Sequence, residues 1–222
     1  MAANLLLVMA RAPRAGAVKR RLCPDLTDEQ ARAVYVALLL DTRENLREID
    51  ETTVRFICPP GEGDLLCSTL GPDAVVEETD GDGFGGRLEN AVATAFSEGY
   101  QRVLATHADI PDLPRSYIGV GLERLTDEPD NPLLQPTVDG GFALIGLARR
   151  RPEWFAGIPW GTPQVANRLR DCSAQLGFPA AELPEWQDVD TFRDLEDCLQ
   201  RGNCTHLDAL ARAGMIPNGA RT

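Results

Sequence analysis

Along the first part of the chain, apolar residues fall into short unbroken runs that alternate with stretches of helical spacing. The run Asn4 to Met9 ends at Arg-Ala-Pro, which predicts a buried strand followed by a Pro- and Gly-containing loop from Arg11 to Ala17. Thr27 and Gln30 stand three apart, as a capping box requires. Ala31, Val34, Leu38 and Leu39 then keep helical spacing toward Ile49. Further strands are predicted at Thr52 to Ile57, Ala74 to Glu78 and Arg102 to Thr106. Between them the pattern predicts a short helix near Asp64 to Leu70 and, after a loop from Thr79 to Gly86, a helix from Arg87 to about Gly99. Another helix opens at Pro114 and runs to Leu125. Strict β/α alternation, with strands apolar on both faces, implies a parallel sheet covered by helices.

Beyond Leu125 the pattern changes. Leu133 to Thr137 and Phe142 to Leu147 read as two strands joined through Val138-Asp139-Gly140-Gly141, and Trp160 to Leu176 as a loop and a helix. A short strand near Glu185 to Val189, a helix from Thr191 and a terminal helix from Thr205 to Ala213 follow, with Ile216 to Thr222 expected to fray. We divide the chain into a nucleotide-binding domain over residues 1–201 and a C-terminal helix and tail, 202–222, packed on that domain. Ligands of such sheets lie at the carboxyl ends of the strands. The loops after Met9, Glu78, Thr106 and Leu134 are therefore expected to share one crevice.

A chain of 222 residues with 25% charged and 43% hydrophobic residues is ordinary globular material, which excludes a disordered protein. The N-terminal apolar run is far shorter than the ~20 residues of a membrane span and has no basic leader, so neither a span nor a secretory signal is expected. The six cysteines form no CxxC pair and fit reduced thiols in a cytoplasm. A formal net charge of -12 argues against nucleic acid as a partner. The charge is nevertheless uneven. Met1 to Pro24 contains no acid, yet Arg11, Arg14, Lys19, Arg20 and Arg21 crowd into it. Screening confines exposed charges to about 8 Å, so a local basic loop holds an anion even on an acidic protein. That loop, with amides around Gly16 and cations at Lys19 and Arg21, reads as a phosphate site.

Gly81-Asp82-Gly83-Phe84-Gly85-Gly86 matches GxGxxG between a strand and a helix. The carboxylates of Glu77, Glu78, Asp80 and Asp82 would repel a pyrophosphate there. A dinucleotide site therefore ranks below a glycine-permitted loop that approaches a ligand closely, and below a plain turn. Phe84-Gly85 offers such a surface to a base. Asp109, Asp139, Asp188 and Asp190 each lie past a predicted strand end, where oxygen ligands for Mg²⁺ belong. Each taken singly reads more simply as a cap or turn residue; their common address favours the metal. Cys198, Cys204 and His206 have the wrong number and spacing for zinc.

With these segments placed, the chain resembles the nucleotide-diphospho-sugar transferase superfamily with the GT-A fold. It is most similar to a bacterial glycosyltransferase family related to molybdenum-cofactor nucleotidyltransferases and 2-phospholactate guanylyltransferase. The resemblance spans about Asn4 to Cys198. It rests on Arg11, Pro13, Gly16, Val18, Lys19, Arg21 and Leu22 in the first loop, on Phe84-Gly85-Gly86-Arg87, and on Asp109-Ile110-Pro111-Asp112-Leu113. The segments from Asp139 to Leu147, Trp160-Gly161-Thr162 and Asp188-Val189-Asp190-Thr191 complete it. It implies a single-domain α/β/α sandwich with a mostly parallel central sheet and helices on both faces.

The resemblance also implies roles. Lys19 and Arg21, with Arg11 and Gly16, hold the phosphates; Phe84, Gly85 and Arg87 lie against the base or ribose; Asp139, Gly140, Gly141 and Trp160 serve the acceptor. Asp109 and Asp190, with Asp188 in reserve, hold Mg²⁺ or Mn²⁺. The family's Asp-x-Asp metal signature is His107-Ala108-Asp109 here, which favours nucleotidylyl transfer. The expected activity is transfer of a nucleoside monophosphate from an NTP to a phosphorylated small molecule, with Lys19, Arg21 and Asp109 in the catalytic centre. The alternatives are a glycosyltransferase using an NDP-sugar and a nucleotide-binding protein without catalysis. Nucleic acid and membrane are not expected partners, and homodimerisation is left open.

Overall fold

The computed structural model describes residues 3–217. Its centre is β1, Asn4–Met9, whose six residues are all buried. Flanking it in parallel are β2 (Thr52–Cys58) and β4 (Arg102–His107), and β3 (Val76–Glu78) extends the sheet beyond β2. Past β4 the direction reverses. β6 (Phe142–Leu147) runs antiparallel to β4 and to β5 (Leu133–Pro136), and β5 takes the short β7 (Ala181–Glu182) in parallel on its far side. The order is β3-β2-β1-β4-β6-β5-β7, a mostly parallel α/β sheet.

The alternation of β1 side chains sorts the helices into two layers. Leu6 and Val8 face α1 (Asp28–Leu46), α2 (Gly63–Leu70) and α4 (Arg115–Asp127). Leu5, Leu7 and Met9 face α3 (Gly83–Ser97) and α5 (Val165–Gln175). A third cluster joins the outer face of α1 to α6 (Phe192–Arg201) and α7 (Thr205–Arg212) through Leu38, Leu195 and Leu207. Asp41 of α1 accepts the backbone amides of His206 and Leu207 at 2.8 and 2.9 Å and so ties down the first turn of α7.

The capping box at Thr27 is formed in full: Thr27 Oγ1 accepts the Gln30 amide and Gln30 Oε1 accepts the Thr27 amide. Thr27→Ala is expected to cost about 1 kcal/mol, read as a lowered midpoint in urea with an unchanged slope.

Three local expectations are corrected. The glycine segment is not all loop, because α3 begins at Gly83 rather than at Arg87. Helix propensity is overridden there by close packing. A Cβ on Gly85 would come within 2.0 Å of the Trp160 indole nitrogen, and one on Gly81, at φ 155°, within 2.3 Å of the Gly86–Arg87 backbone. The last strand is β7, at 181–182, not 185–189. Of the expected stretch, Trp186 alone bridges to Thr137, while the Val189 amide donates to the Asp109 carbonyl at 3.0 Å. Finally, Ile216, expected in a frayed tail, is buried against the third cluster; residues 218–222 of that tail lie outside the described residues.

Candidate functional site

The sheet order reverses at β1, which has β2 on one side and β4 on the other, so a crevice opens beyond Met9 and His107. The loop leaving β1 delivers Lys19, held in the left-handed region at φ 47° before a 3-10 turn at Arg20–Leu22. Its ammonium donates to Asp109 Oδ2 at 2.7 Å and to Asp190 Oδ1 at 2.8 Å, with its side chain 5% exposed. Burial works against that charge, but the two carboxylates outweigh it and raise the Lys19 pKa above its ordinary value. Asp109 shifts the opposite way: burial opposes its ionisation, and Lys19 prevails and lowers its pKa. Arg21 closes the other side of Asp190, donating to Oδ2 at 2.9 Å from an exposed position.

Asp188 lies two residues before Asp190, outside any helix or strand. Burial, followed by repulsion from Asp109, Asp190 and Asp139, pushes its carboxyl up to about 7. Oxygens of Asp139, Asp188 and Asp190 all lie within 4.8 Å of one another. Asp139 owes its place to an Asx turn, in which its Oδ1 accepts Thr137 Oγ1 at 2.6 Å and the Gly141 amide at 3.0 Å.

Two cavities meet at this knot of charge. One, of about 330 Å³, is basic, lined by Arg11, Lys19, Arg20, Arg21 and Arg87. The other, of about 750 Å³, is walled by Phe84, His107, Phe142 and Trp160, with Asp82, Asp139 and Asp188 among its polar groups. Phe84, His107, Arg21, Asp109 and Asp190 belong to both. His107 stacks on Phe84 at 5.4 Å, and burial lowers its pKa, so the imidazole is neutral at pH 7.

The candidate residues divide by what holds them. Lys19, Arg21, Asp109 and Asp190 are tied into one ion-pair chain rather than standing free. Arg11 is clamped by Glu62, whose carboxylate takes its Nε at 3.0 Å and also the Ala12 amide at 2.7 Å. Arg87 has no ionic partner among the described residues; burial, then repulsion from Arg11, lowers its pKa. Gly85, Gly141 and Trp160 line the larger cavity, whereas Gly16 and Gly140 line neither. Gly16 serves a turn at φ 71°. Gly140, at φ 90°, lets Pro163 approach, since a Cβ there would meet the Pro163 carbonyl oxygen at 2.1 Å. Of the expected metal ligands, Asp188 and Asp190 gather with Asp139, which was expected on the acceptor, while Asp109 stands outside that trio, tied to Lys19. Glu62 and Tyr35, whose hydroxyl accepts the Arg11 amide at 2.9 Å, went unnoticed in the sequence. Glu62 sits in a Gly-Glu-Gly turn and Tyr35 inside a helix, so neither carries a local signal.

Residues 42–162, just over half of the chain, match the model of the family described as "Uncharacterized protein conserved in bacteria (DUF2064)". The chain belongs to this family. No curated protein matches it. Among solved structures, a protein of Desulfovibrio desulfuricans G20, assigned as a nucleotide-diphospho-sugar transferase, shares 28% identity with the DUF2064 chain. The alignment covers 97% of each at a TM-score of 0.87. More distant structures share the fold alone. One is a cytidylyltransferase from Leptospira borgpetersenii serovar Hardjo-bovis, with 12% identity, full coverage of both chains and a TM-score of 0.56. Another is Rv0371c of Mycobacterium tuberculosis H37Rv in complex with manganese, with 18% identity, coverage of 89% and 97%, and a TM-score of 0.53. Fold and family together put the DUF2064 chain among the enzymes of the nucleotide-diphospho-sugar transferase superfamily. No helix among its described residues is long and apolar enough to cross a membrane.

Proposed function

We propose that the DUF2064 chain is a divalent-metal-dependent nucleotidyltransferase that joins the nucleoside monophosphate of an NTP to a small-molecule acceptor. One observation carries this reading: a basic cavity and a larger aromatic, acidic cavity share Arg21, Asp109 and Asp190, and Lys19 of the basic cavity is ion-paired to both of those aspartates. Arg87 and Arg20 offer guanidinium groups to the phosphates; Phe84, which lines both cavities, borders base and acceptor alike, whereas Gly85 lies under the Trp160 indole. Lys19 and Arg21, at the junction, neutralise charge developing on the phosphoryl group being transferred. An acceptor oxygen bonds to the α-phosphorus as the bond from it to the bridging oxygen breaks, and pyrophosphate leaves toward the basic cavity.

The donor set suits Mg²⁺ or Mn²⁺. Asp139, Asp188 and Asp190 are hard oxygen ligands close together, and the raised Asp188 carboxyl marks a surplus of negative charge that a cation relieves. When bound, the ion supplies positive charge against the phosphate oxygens. We take residues 1–201 with α7 as one transfer domain, and the free thiols among the described residues favour a cytoplasmic location.

A glycosyltransferase using an NDP-sugar is the second reading, favoured by the assignment of the Desulfovibrio protein. A thermal-shift screen of NTPs and NDP-sugars with Mg²⁺ or Mn²⁺, followed by a pyrophosphate assay, separates the two. An NTP at 100 times its Kd is expected to add about 2.7 kcal/mol of stability and to release pyrophosphate in the presence of acceptor. A shift by NDP-sugars alone would move the activity to glycosyl transfer. Binding of NTP without turnover over a broad acceptor set would leave a binding protein.

A further inference from the structure

The larger cavity is suited to a different chemistry from the basic one beside it. Its wall is aromatic: Trp160 lies 5.5 Å from Phe84 and 6.1 Å from Phe142, and His107 lies 4.3 Å from Phe142 between centroids. Phe142 belongs to the core, and Phe84 and Trp160 pack against it at the edge of the cavity. Phe84 and Trp160 are only half-buried, and Gly85 is kept free of a Cβ so that the Trp160 indole seats over the α3 backbone. The charged side chains around that wall are almost all acidic. Arg21 is the one cation among the lining residues, and Asp190 already holds it. Asp139, Asp188 and Asp190 converge as a group, but Asp82 stands apart, exposed at the start of α3, where among the described residues its side chain caps no amide and pairs with no cation. Aromatic faces beside an unpaired carboxylate attract a cation and repel an anion.

We propose that the large cavity receives an acceptor whose body carries an ammonium group, seated against Trp160 and Phe84 and facing Asp82. The inference rests on the transfer reading above, because it takes this cavity as the acceptor's. It also narrows the acceptor expected from sequence. A phosphate on it belongs at the reacting end, by Arg21 and Lys19, and the remainder is cationic rather than anionic. Volume allows this: a cavity of about 750 Å³ holds a small metabolite with room left for the reacting end at the junction.

Phosphocholine and glycerol 3-phosphate are matched probes, each a phosphate monoester on a short chain, with an ammonium in the first and hydroxyls in the second. Calorimetric titration of the full chain is expected to show phosphocholine bound about tenfold more tightly, the scale of a partly desolvated cation–π contact with a carboxylate nearby. Trp160→Leu keeps apolar bulk over Gly85 while removing the ring, and Asp82→Asn alters an exposed carboxylate that holds nothing in the fold. Each is expected to erase most of the preference. Equal affinities, a preference for glycerol 3-phosphate, no binding of either probe, or a preference that survives both substitutions would overturn the proposal. Failure of the transfer reading shows differently. Phosphocholine would then bind with the Trp160 and Asp82 dependence intact, while no NTP bound or released pyrophosphate.

Discussion

Lys19→Met is expected to bind Mn²⁺ without nucleotide at least about tenfold more tightly than the unaltered protein, and to lose about 10²–10³-fold in turnover. Both effects come from one geometry. The Lys19 ammonium donates to Asp109 at 2.7 Å and Asp190 at 2.8 Å, so it already occupies the position of a counter-ion between two carboxylates. A metal ion approaching Asp190 must compete with it. Mg²⁺ parts with water reluctantly and is held weakly by one or two carboxylates without phosphate. On the transfer reading, arriving nucleotide phosphates are expected to give the ammonium a second anionic partner and draw it from Asp190, so that metal and nucleotide favour each other's binding. Removing the ammonium frees the carboxylates for metal and takes away a positive charge from the transferred phosphoryl group. Electron paramagnetic resonance titration with Mn²⁺ measures the first effect and pyrophosphate release the second. Asp190→Asn is the control and is expected to weaken Mn²⁺ binding with or without Lys19. Unchanged Mn²⁺ affinity in Lys19→Met would show that the lysine does not compete with the metal.

Asp112→Ala is expected to destabilise the fold by about 3–5 kcal/mol, the cost of leaving a buried charge without its partner. The Asp112 side chain is completely buried. It accepts Arg201 Nε, and its other oxygen accepts the Trp186 indole N–H at 3.3 Å. The Arg201 guanidinium lies 5.8 Å from the Trp186 ring, its Nη2 is buried without a hydrogen-bond partner and its Nη1 reaches only Gln187 Oε1 at 3.4 Å, so truncation of Asp112 leaves that cation without a counter-charge. At about 2–4 °C per kcal/mol for a domain of this size, the midpoint should fall by roughly 10 °C. Arg201→Met alone should be costly too, whereas Asp112→Ala with Arg201→Met should cost well under the sum of the two, because each single change strands the other partner. Calorimetry on the two single variants and the double variant completes the cycle. Additive losses would mean that the pair is not coupled. The effect reaches the site, since Trp186 precedes Asp188 and Asp190 and its carbonyl accepts the Val138 amide at 3.2 Å.

Much of this was legible from local sequence because local physics sets it. Short apolar runs such as 5–9 and 103–105 are strands wherever both faces are covered, and the Thr27–Gln30 and Thr191–Asp194 caps complete their own helix ends without help from distant residues. The acid-free basic loop and the four aspartates past strand ends were visible for the same reason, since their signal lies in spacing and composition. Tertiary structure decided the rest. Which aspartates gather depends on β6 running antiparallel and on the Val189–Asp109 hydrogen bond, which fastens residues 188–190 against the end of β4. Spacing along the chain carries no information about that approach. The first turn of α3 packs closely at Gly85 against Trp160, seventy-five residues away, which fills the place of an absent Cβ. The pairing of Lys19 with Asp109 and Asp190 spans 90 and 171 residues. A charge on a loop is solvated, ligand-binding or ion-paired according to what folding brings within about 3 Å of it, and only the folded chain settles which.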